Sequence, residues 1–359
     1  MHTFLRNLQT GLLAIMLAGC ASQPEAPTAE ESAAEVAGFI ATDRLRDDRG
    51  RFREVYCAVL ERHGQTIPDY RSCTEALQDT GPEAGATGET VNLGTTRLNP
   101  LFLLVPGLGW ECFEEWLDLE YSAPRHVAQY GYEIRQIPVA GLSSSANNAA
   151  IIKAYVDDLP AGDSDRPLVF IGYSKGTPDI LEALVRYPDV AARTEAVLSL
   201  AGSVKGSPLA DKATQEHANL LTHVPGSQCD EGDGGAIESL KTEVRQAWLA
   251  DNPLPDNVRF YSVVTYPDKD RVSWILRNSY KALSGVDPRN DTQVLIYDQM
   301  IPGSTLVAFI NADHWAIAVP VSRQHAFIGS TLVNHNDYPR EAMLEALMRY
   351  LEEDLARQR

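Results

Sequence analysis

The sequence predicts an α/β fold: a mostly parallel central sheet with helices on both faces, extended by an N-terminal helical segment and a helical cap. Two observations carry this prediction. Apolar runs of strand length alternate with stretches of helical spacing over most of the chain, which is the pattern of repeated strand–helix crossovers. One of those runs, Leu168–Ile171, leads straight into Gly172-Tyr173-Ser174-Lys175-Gly176, and a helical stretch from Asp179 to Val185 follows. With 359 residues, 44% of them hydrophobic and 22% charged, the chain can bury a substantial core and has the composition of a folded protein.

Taken in order, residues 1–19 read as a signal peptide. Arg6 precedes the apolar run Leu12–Leu17, which is too short to span a bilayer and ends at Leu17-Ala18-Gly19-Cys20. Residues 20–36, mostly Pro, Ala, Glu, Ser and Thr, lack the apolar side chains that offset ordering entropy, so a flexible tether is expected. Residues 37–96 form a helical extension in which Phe52, Val55, Tyr56, Val59 and Leu60 share one helix face, closed by turn chemistry from Gly81-Pro82 to Gly88. The main domain, 97–359, begins with strand Leu101–Val105 and continues through Glu133–Val139, Leu168–Ile171, Ala196–Leu200, Val258–Val264 and Thr305–Ile310. Within it, residues 209–257 read as a cap with Gly232–Gly235 as a mobile stretch. Met343, Leu344, Leu347, Leu351 and Leu355 recur at helical spacing and predict a closing helix packed on the sheet.

The formal charge of -18 and the lack of any Lys/Arg cluster exclude a nucleic-acid partner, because phosphate binding needs clustered cations. Leu17-Ala18-Gly19-Cys20 resembles the lipobox of bacterial lipoproteins. That resemblance implies cleavage before Cys20, diacylglycerol on its thiol and attachment to a membrane; Ala21 in place of Asp implies the outer membrane of the cell envelope, facing the periplasm. An ordinary secretory signal with an incidental cysteine is the alternative. With Cys20 lipidated, Cys57, Cys73, Cys112 and Cys229 are an even number in an oxidising compartment and permit two disulfides in three connectivities. A local Cys57–Cys73 bridge would pin a helical hairpin across the turn at Pro68-Asp69, leaving Cys112 for Cys229. No Cys-x-x-Cys or His-x-x-x-His spacing occurs, so neither a metal site nor a cofactor is expected.

The glycine-flanked serine carries the chemistry. A turn tight enough to lift Ser174 above the sheet leaves no room for side chains at the flanking positions, and it sets the hydroxyl at a helix N-terminus, where developing negative charge is favoured. A serine hydroxyl is a weak nucleophile until a base takes its proton, so a histidine oriented by a carboxylate is required later in the chain. His314 follows the last strand, in Asn311-Ala312-Asp313-His314-Trp315. His217 and His223 come too early, and His325 and His335 lie in or before the terminal helical region. For the acid, Asp268 and Asp270 directly follow strand Val258–Val264, while Asp291 and Asp298 lie beyond a further insertion. Asp313 points away from its neighbour and reads as a loop cap. The Lys175 side chain reads as a helix-surface charge, since an unburied lysine stays protonated and cannot act as the base. Its backbone amide, directly after the nucleophile, is one expected donor to the reaction's oxyanion.

Beyond the serine motif, Asn290-Asp291-Thr292-Gln293-Val294, Ile301-Pro302-Gly303 and Ala312-Asp313-His314 resemble the Asn-Asp-Gly-x-Val, Pro-Gly and Asp-His pattern of lipase-like α/β-hydrolases, a likeness running from about Leu98 to Leu355. In that pattern the Asp after Asn is the acid of a Ser-His-Asp triad. The resemblance therefore ranks Asp291 first and Asp270 second, with Thr292 standing where the family has Gly. Pro106-Gly107-Leu108-Gly109 resembles the oxyanion loops of lipases and esterases, which maps the second donor to the amide of Leu108. Ala201-Gly202-Ser203 through Gly206-Ser207-Pro208 resembles the loop that borders the acyl pocket. The resemblance implies a serine hydrolase that cleaves carboxylic esters, small-molecule or lipid, through an acyl-enzyme and without a cofactor. A peptidase, amidase or thioesterase on the same fold, or a non-catalytic envelope lipoprotein that binds a ligand, are the competing expectations.

Overall fold

The computed structural model describes residues 29–113, 123–163, 166–219 and 232–357. Within them one sheet of seven strands forms the centre: β1 (Arg46–Asp47), β2 (Leu101–Val105), β3 (Glu133–Gln136), β4 (Leu168–Tyr173), β5 (Thr194–Leu200), β6 (Arg259–Thr265) and β7 (Thr305–Ile310). Their order is β1-β7-β6-β5-β4-β2-β3, and every neighbouring pair is parallel. Parallel strands are covered on both faces, which is why β2, β4 and β7 read as continuous apolar runs rather than alternating ones. The helices of ten or more described residues are α1 (Ala29–Thr42), α2 (Arg49–His63), α3 (Ser145–Asp157), α4 (Gly176–Arg186), α5 (Thr242–Asp251) and α6 (Arg340–Arg357). None of the described helices is long and apolar enough to cross a membrane.

The pleat sorts each strand's residues between two cores. Phe102, Val169, Ile171, Leu198 and Val263 pack with Phe52, Val55 and Tyr56 of α2 and with Leu347 and Leu351 of α6. Leu101, Leu103, Phe170 and Val197 face the other way, onto Ile152 and Val156 of α3 and Ile180, Leu181 and Leu184 of α4. After β1 at one edge beside β7, the chain passes to β2, runs outward to β3, then reverses to β4 and proceeds through β5, β6 and β7. The winding reverses between β2 and β4, and the C-terminal ends of strands at such a reversal are the place these sheets present to ligands.

Differences from the sequence expectations have local causes. The expected tether is helical from Ala29, because Val36, Phe39 and Ile40 at helical spacing pack onto Leu45, Val264, Ile296, Met300, Leu306 and Phe309. Strand β1 is two charged residues at the sheet edge, paired with Thr305 and Leu306, and carries no apolar signal of its own. Strand β3 stops at Gln136, short of Val139: the amide of Ile137 still bonds the Leu104 carbonyl at 2.8 Å, but Pro138 has no N–H with which to extend the ladder. Gly232–Gly235, expected to be mobile, is held at the start of α3: Asp233 Oδ1 accepts the Ser144 amide at 2.7 Å and the Gly235 amide at 3.0 Å, and the Asp233 amide donates to Ser143 Oγ at 3.1 Å.

The N-terminal extension is a brace on the sheet and on α6 rather than a body of its own. Arg51 in α2, buried, pairs with Glu353 in α6 at 2.7 Å, and Leu77 bridges Ile310 in β7. Cys57 in α2 and Cys73 at the start of the short helix Cys73–Ala76 form a disulfide across 16 residues. Cys112 is also disulfide-bonded, and Cys20 and Cys229 both lie outside the described residues. Replacing Cys57 and Cys73 together by Ala is expected to lower stability by about 3 kcal/mol, the chain-entropy value for such a loop, which thermal unfolding should record as a fall of about 5 °C in Tm.

Candidate active site

Ser174 sits at the C-terminal end of β4, immediately before α4, in the left-handed region at φ 54°. A side chain there is strained, and the surroundings over-determine it. The Ser174 amide donates to the Leu200 carbonyl at 3.1 Å, and its carbonyl accepts the amides of Ser203 (3.1 Å) and Thr177 (3.2 Å). Both flanking glycines are obligatory: a Cβ at Gly172 would lie 2.6 Å from Thr177 Cα, and one at Gly176 would lie 2.0 Å from the Val105 carbonyl oxygen. The loop after β2 is pressed against the same turn, since a Cβ at Gly107 would fall 2.8 Å from Ser174 Cβ.

His314, 4% exposed, stands beyond the end of β7 and turns Nε2 to Ser174 Oγ at 2.9 Å. Its Nδ1 lies 2.7 Å from Oδ2 of Asp291, which is fully buried. That oxygen also accepts Thr265 Oγ1 at 3.0 Å, while Oδ1 accepts the amides of Gln293 (2.9 Å) and Val294 (2.7 Å). An acceptor-only carboxylate facing Nδ1 sets that nitrogen as the N–H donor and leaves Nε2 as the acceptor for the serine proton. The ring is fixed from two more sides. The His314 amide donates to the Asp291 carbonyl at 2.8 Å, and Tyr173 OH donates to the His314 carbonyl at 2.7 Å with the two rings 5.2 Å apart. Thr292, where the resembling family has Gly, holds φ 87° and keeps the turn, with its amide bonded to Asn290 Oδ1 at 3.0 Å and its hydroxyl buried without a partner.

The other carboxylates are elsewhere. Asp270, the second-ranked acid, is exposed in the turn Lys269–Arg271, because the chain leaves β6 outward and only after the further insertion comes back to His314. Asp268 instead accepts Asn311 Nδ2 at 2.7 Å and helps brace the loop that carries the histidine. Asp313 caps that loop as expected, accepting the amides of Ala316 (2.9 Å), Ser273 (3.0 Å) and Trp315 (3.1 Å) while burial pushes its carboxyl above the ordinary range. Asp298 is buried, and loss of hydration pushes its carboxyl up to about 7; it makes no bond to His314.

Lys175 departs from the sequence reading. Its side chain is 1% exposed, not a surface charge, and Nζ lies 2.8 Å from both carboxylate oxygens of Asp179, one helical turn on. Asp179 Oδ2 also accepts Asn148 Nδ2 of α3 at 2.7 Å, and Asn148 in turn bonds the amide (3.1 Å) and carbonyl (3.0 Å) of Ala140. The next carbonyl, Gly141, accepts the Gly109 amide at 3.3 Å, so the buried pair is linked through α3 to the loop after β2. The i,i+4 spacing of Lys175 and Asp179 was visible in the sequence; the packing of α3 that buries it was not. The amides of Leu108 and Lys175, the two expected oxyanion donors, give no hydrogen bond to a protein acceptor among the described residues.

No protein-family model matches this chain, and no curated protein does. Among solved structures it is similar to the metagenomic carboxyl esterase MGS0156, with 39% identity over 96% of this chain and 99% of that one and a TM-score of 0.81. The mature Bacillus licheniformis lipase BlEst2 is 20% identical over 68% of this chain and 95% of its own, with a TM-score of 0.51. The Staphylococcus hyicus lipase is 13% identical over 76% and 99%, with a TM-score of 0.55. At those identities the two lipases show a shared fold.

Two substitutions separate the candidate acids: Asp291→Asn is expected to lower kcat by ~10⁴-fold by presenting the wrong tautomer to Ser174, whereas Asp270→Asn should leave ester turnover unchanged. Lys175→Met strands the Asp179 charge and should cost about 3 kcal/mol of stability in denaturant unfolding. Adding Asp179→Leu should recover most of that loss.

Proposed function

This chain belongs to the carboxyl esterases of the α/β-hydrolase fold and is a carboxylic ester hydrolase; from that premise we propose that it works through a Ser174–His314–Asp291 triad at the end of a lipid tether on Cys20. The observation that carries the triad is the unbroken line of hydrogen-bond contacts from Ser174 Oγ through both ring nitrogens of His314 to Asp291, at 2.9 and 2.7 Å. Ser174 Oγ attacks the ester carbonyl carbon as His314 Nε2 takes its proton. Asp291 holds the ring in place and stabilises the imidazolium that forms, with its own charge spread over Thr265 and two backbone amides.

The carbonyl oxygen becomes the oxyanion and takes hydrogen bonds from the amides of Leu108 and Lys175. Such donors are each worth about 3 kcal/mol in the transition state because they are already in place and need no reorganisation. Collapse of the tetrahedral adduct releases the alcohol with the proton from His314 and leaves an acyl-enzyme. Water, deprotonated by the same nitrogen, then frees the acid and restores Ser174. Close packing of Gly107 against Ser174 supports this reading, since Leu108 is the next residue along that loop.

The tether rests on Leu17-Ala18-Gly19-Cys20, and it would hold the site at a lipid surface of the cell envelope, within reach of acyl esters. Nitrophenyl esters of graded acyl length and peptide anilides, assayed side by side, test the bond class. Ester turnover in excess of anilide turnover is expected, and anilide turnover alone would overturn it. A fluorophosphonate probe should label the wild type and fail on Ser174→Ala. Expressed in bacteria, the full chain should partition into the detergent phase and Cys20→Ala into the aqueous one; equal partitioning would remove the tether.

A further inference from the structure

His63, His126 and Glu345 come from distant parts of the chain and meet in a cluster that shares no hydrogen bond with Ser174, His314 or Asp291. His63 is the last residue of α2, His126 lies in the short helix Ala123–Ala128, and Glu345 is in α6. Both imidazoles turn Nε2 to one oxygen, Glu345 Oε2, at 2.9 Å from His63 and 2.6 Å from His126, and the three donor atoms lie within 4.8 Å of one another. We propose that these three side chains bind a divalent first-row metal ion, Zn²⁺ by their donor set.

The donor set selects the ion. Ca²⁺ and Mg²⁺ take oxygen ligands, whereas two imidazoles and a carboxylate suit the borderline cation Zn²⁺, which then keeps a water in its fourth position. With metal–ligand bonds of about 2.0–2.1 Å, donors at a tetrahedral ion stand about 3.3 Å apart, so the two histidine–carboxylate contacts, now 2.9 and 2.6 Å, need to open by less than ~1 Å, and the two imidazole nitrogens, within 4.8 Å of each other, already stand close to the spacing such an ion requires. Each imidazole would bind as the neutral tautomer with its proton on Nδ1.

The surroundings hold the donors in place. Glu345 is fully buried, and its other oxygen, Oε1, is fixed by Arg349 Nε at 2.8 Å. Arg349 is itself anchored on the carbonyls of Asn92, Leu93 and Gly94, an outer-shell arrangement that aims Oε2 at the two rings. Tyr130 packs edge-on against both imidazoles, at 6.3 and 5.7 Å. The histidine side chains keep 15% and 13% exposure, which leaves a way in for the ion and its water. The three described cysteines are all in disulfides, so none offers a competing thiolate. Local sequence spacing has no signature for such a site, because its ligands are contributed by three separate helices. Binding would tie the N-terminal brace to α6 and to the helix that precedes β3.

The test uses untagged full-length protein, with its disulfides intact, after removal of metals by chelator. One equivalent of Zn²⁺ per chain is expected in titration calorimetry, with Tm raised by about 5 °C at a hundredfold excess over Kd. His126→Asn and Glu345→Gln, each made alone and checked for folding by near-ultraviolet circular dichroism, should weaken binding at least tenfold. Co²⁺ added to the wild type should give the visible d–d absorption of a four-coordinate site without a thiolate charge-transfer band, a readout that needs no variant to fold. Zinc uptake equal in wild type and variants, or cobalt spectra of the hydrated ion alone, would overturn the assignment and leave a cluster held by protons.

Discussion

The left-handed turn at Ser174 is the constraint on which the rest of the structure depends. Its φ of 54° persists because three backbone hydrogen bonds and two obligatory glycines leave the serine no other conformation. That turn exists only where β4 ends beside β2 at the reversal of the sheet. There the loop after β2 can press Gly107 against the serine, and α4 can start directly beyond it. A side chain at Gly107, Gly172 or Gly176 would move Ser174, the loop after β2 or α4.

Around this turn, buried charges are held by complete sets of partners. Asp291 faces His314 with three further donors on its oxygens, and Asp179 faces Lys175 with Asn148 as a third member. Neither carboxylate is left to bear the cost of burial alone, which in a dry interior would exceed the stability of most domains. The two clusters act on different parts of the site. One orients His314; the other links the helix after Ser174 through α3 to the loop that carries Leu108. Fixing both leaves little to reorganise when charge develops on a substrate, which is the physical requirement for electrostatic stabilisation of a transition state.

How far these features could be read in advance depended on where their signals lie. Strands β2, β4 and β7 were legible because burial on both faces makes each a continuous apolar run, and the glycine-serine-glycine turn was legible because steric exclusion is written in the residues themselves. Strand β1 was hidden, since its two charged residues belong to the sheet only through β7. Val36, Phe39 and Ile40 were too few to reveal that α1 begins at Ala29 until their partners in β6 and β7 were known. Asp291 and Asp270 could not be separated by position along the chain; the bend that returns Asp291 to His314, through Thr292 at φ 87°, is set by tertiary contacts. The burial of Lys175 is illegible in the sequence for a similar reason, because burial of a charge depends on what packs over it.

The central claim is that Ser174 carries the acyl group between two chemical steps. Mixing the enzyme rapidly with a nitrophenyl ester, quenching in acid and mapping the adduct by peptide mass spectrometry tests it most directly. A burst of nitrophenol close to one equivalent per chain, with the acyl mass on the peptide containing Ser174, is the predicted result. Steady turnover with no burst and no adduct at Ser174, or an adduct on another residue, would contradict it.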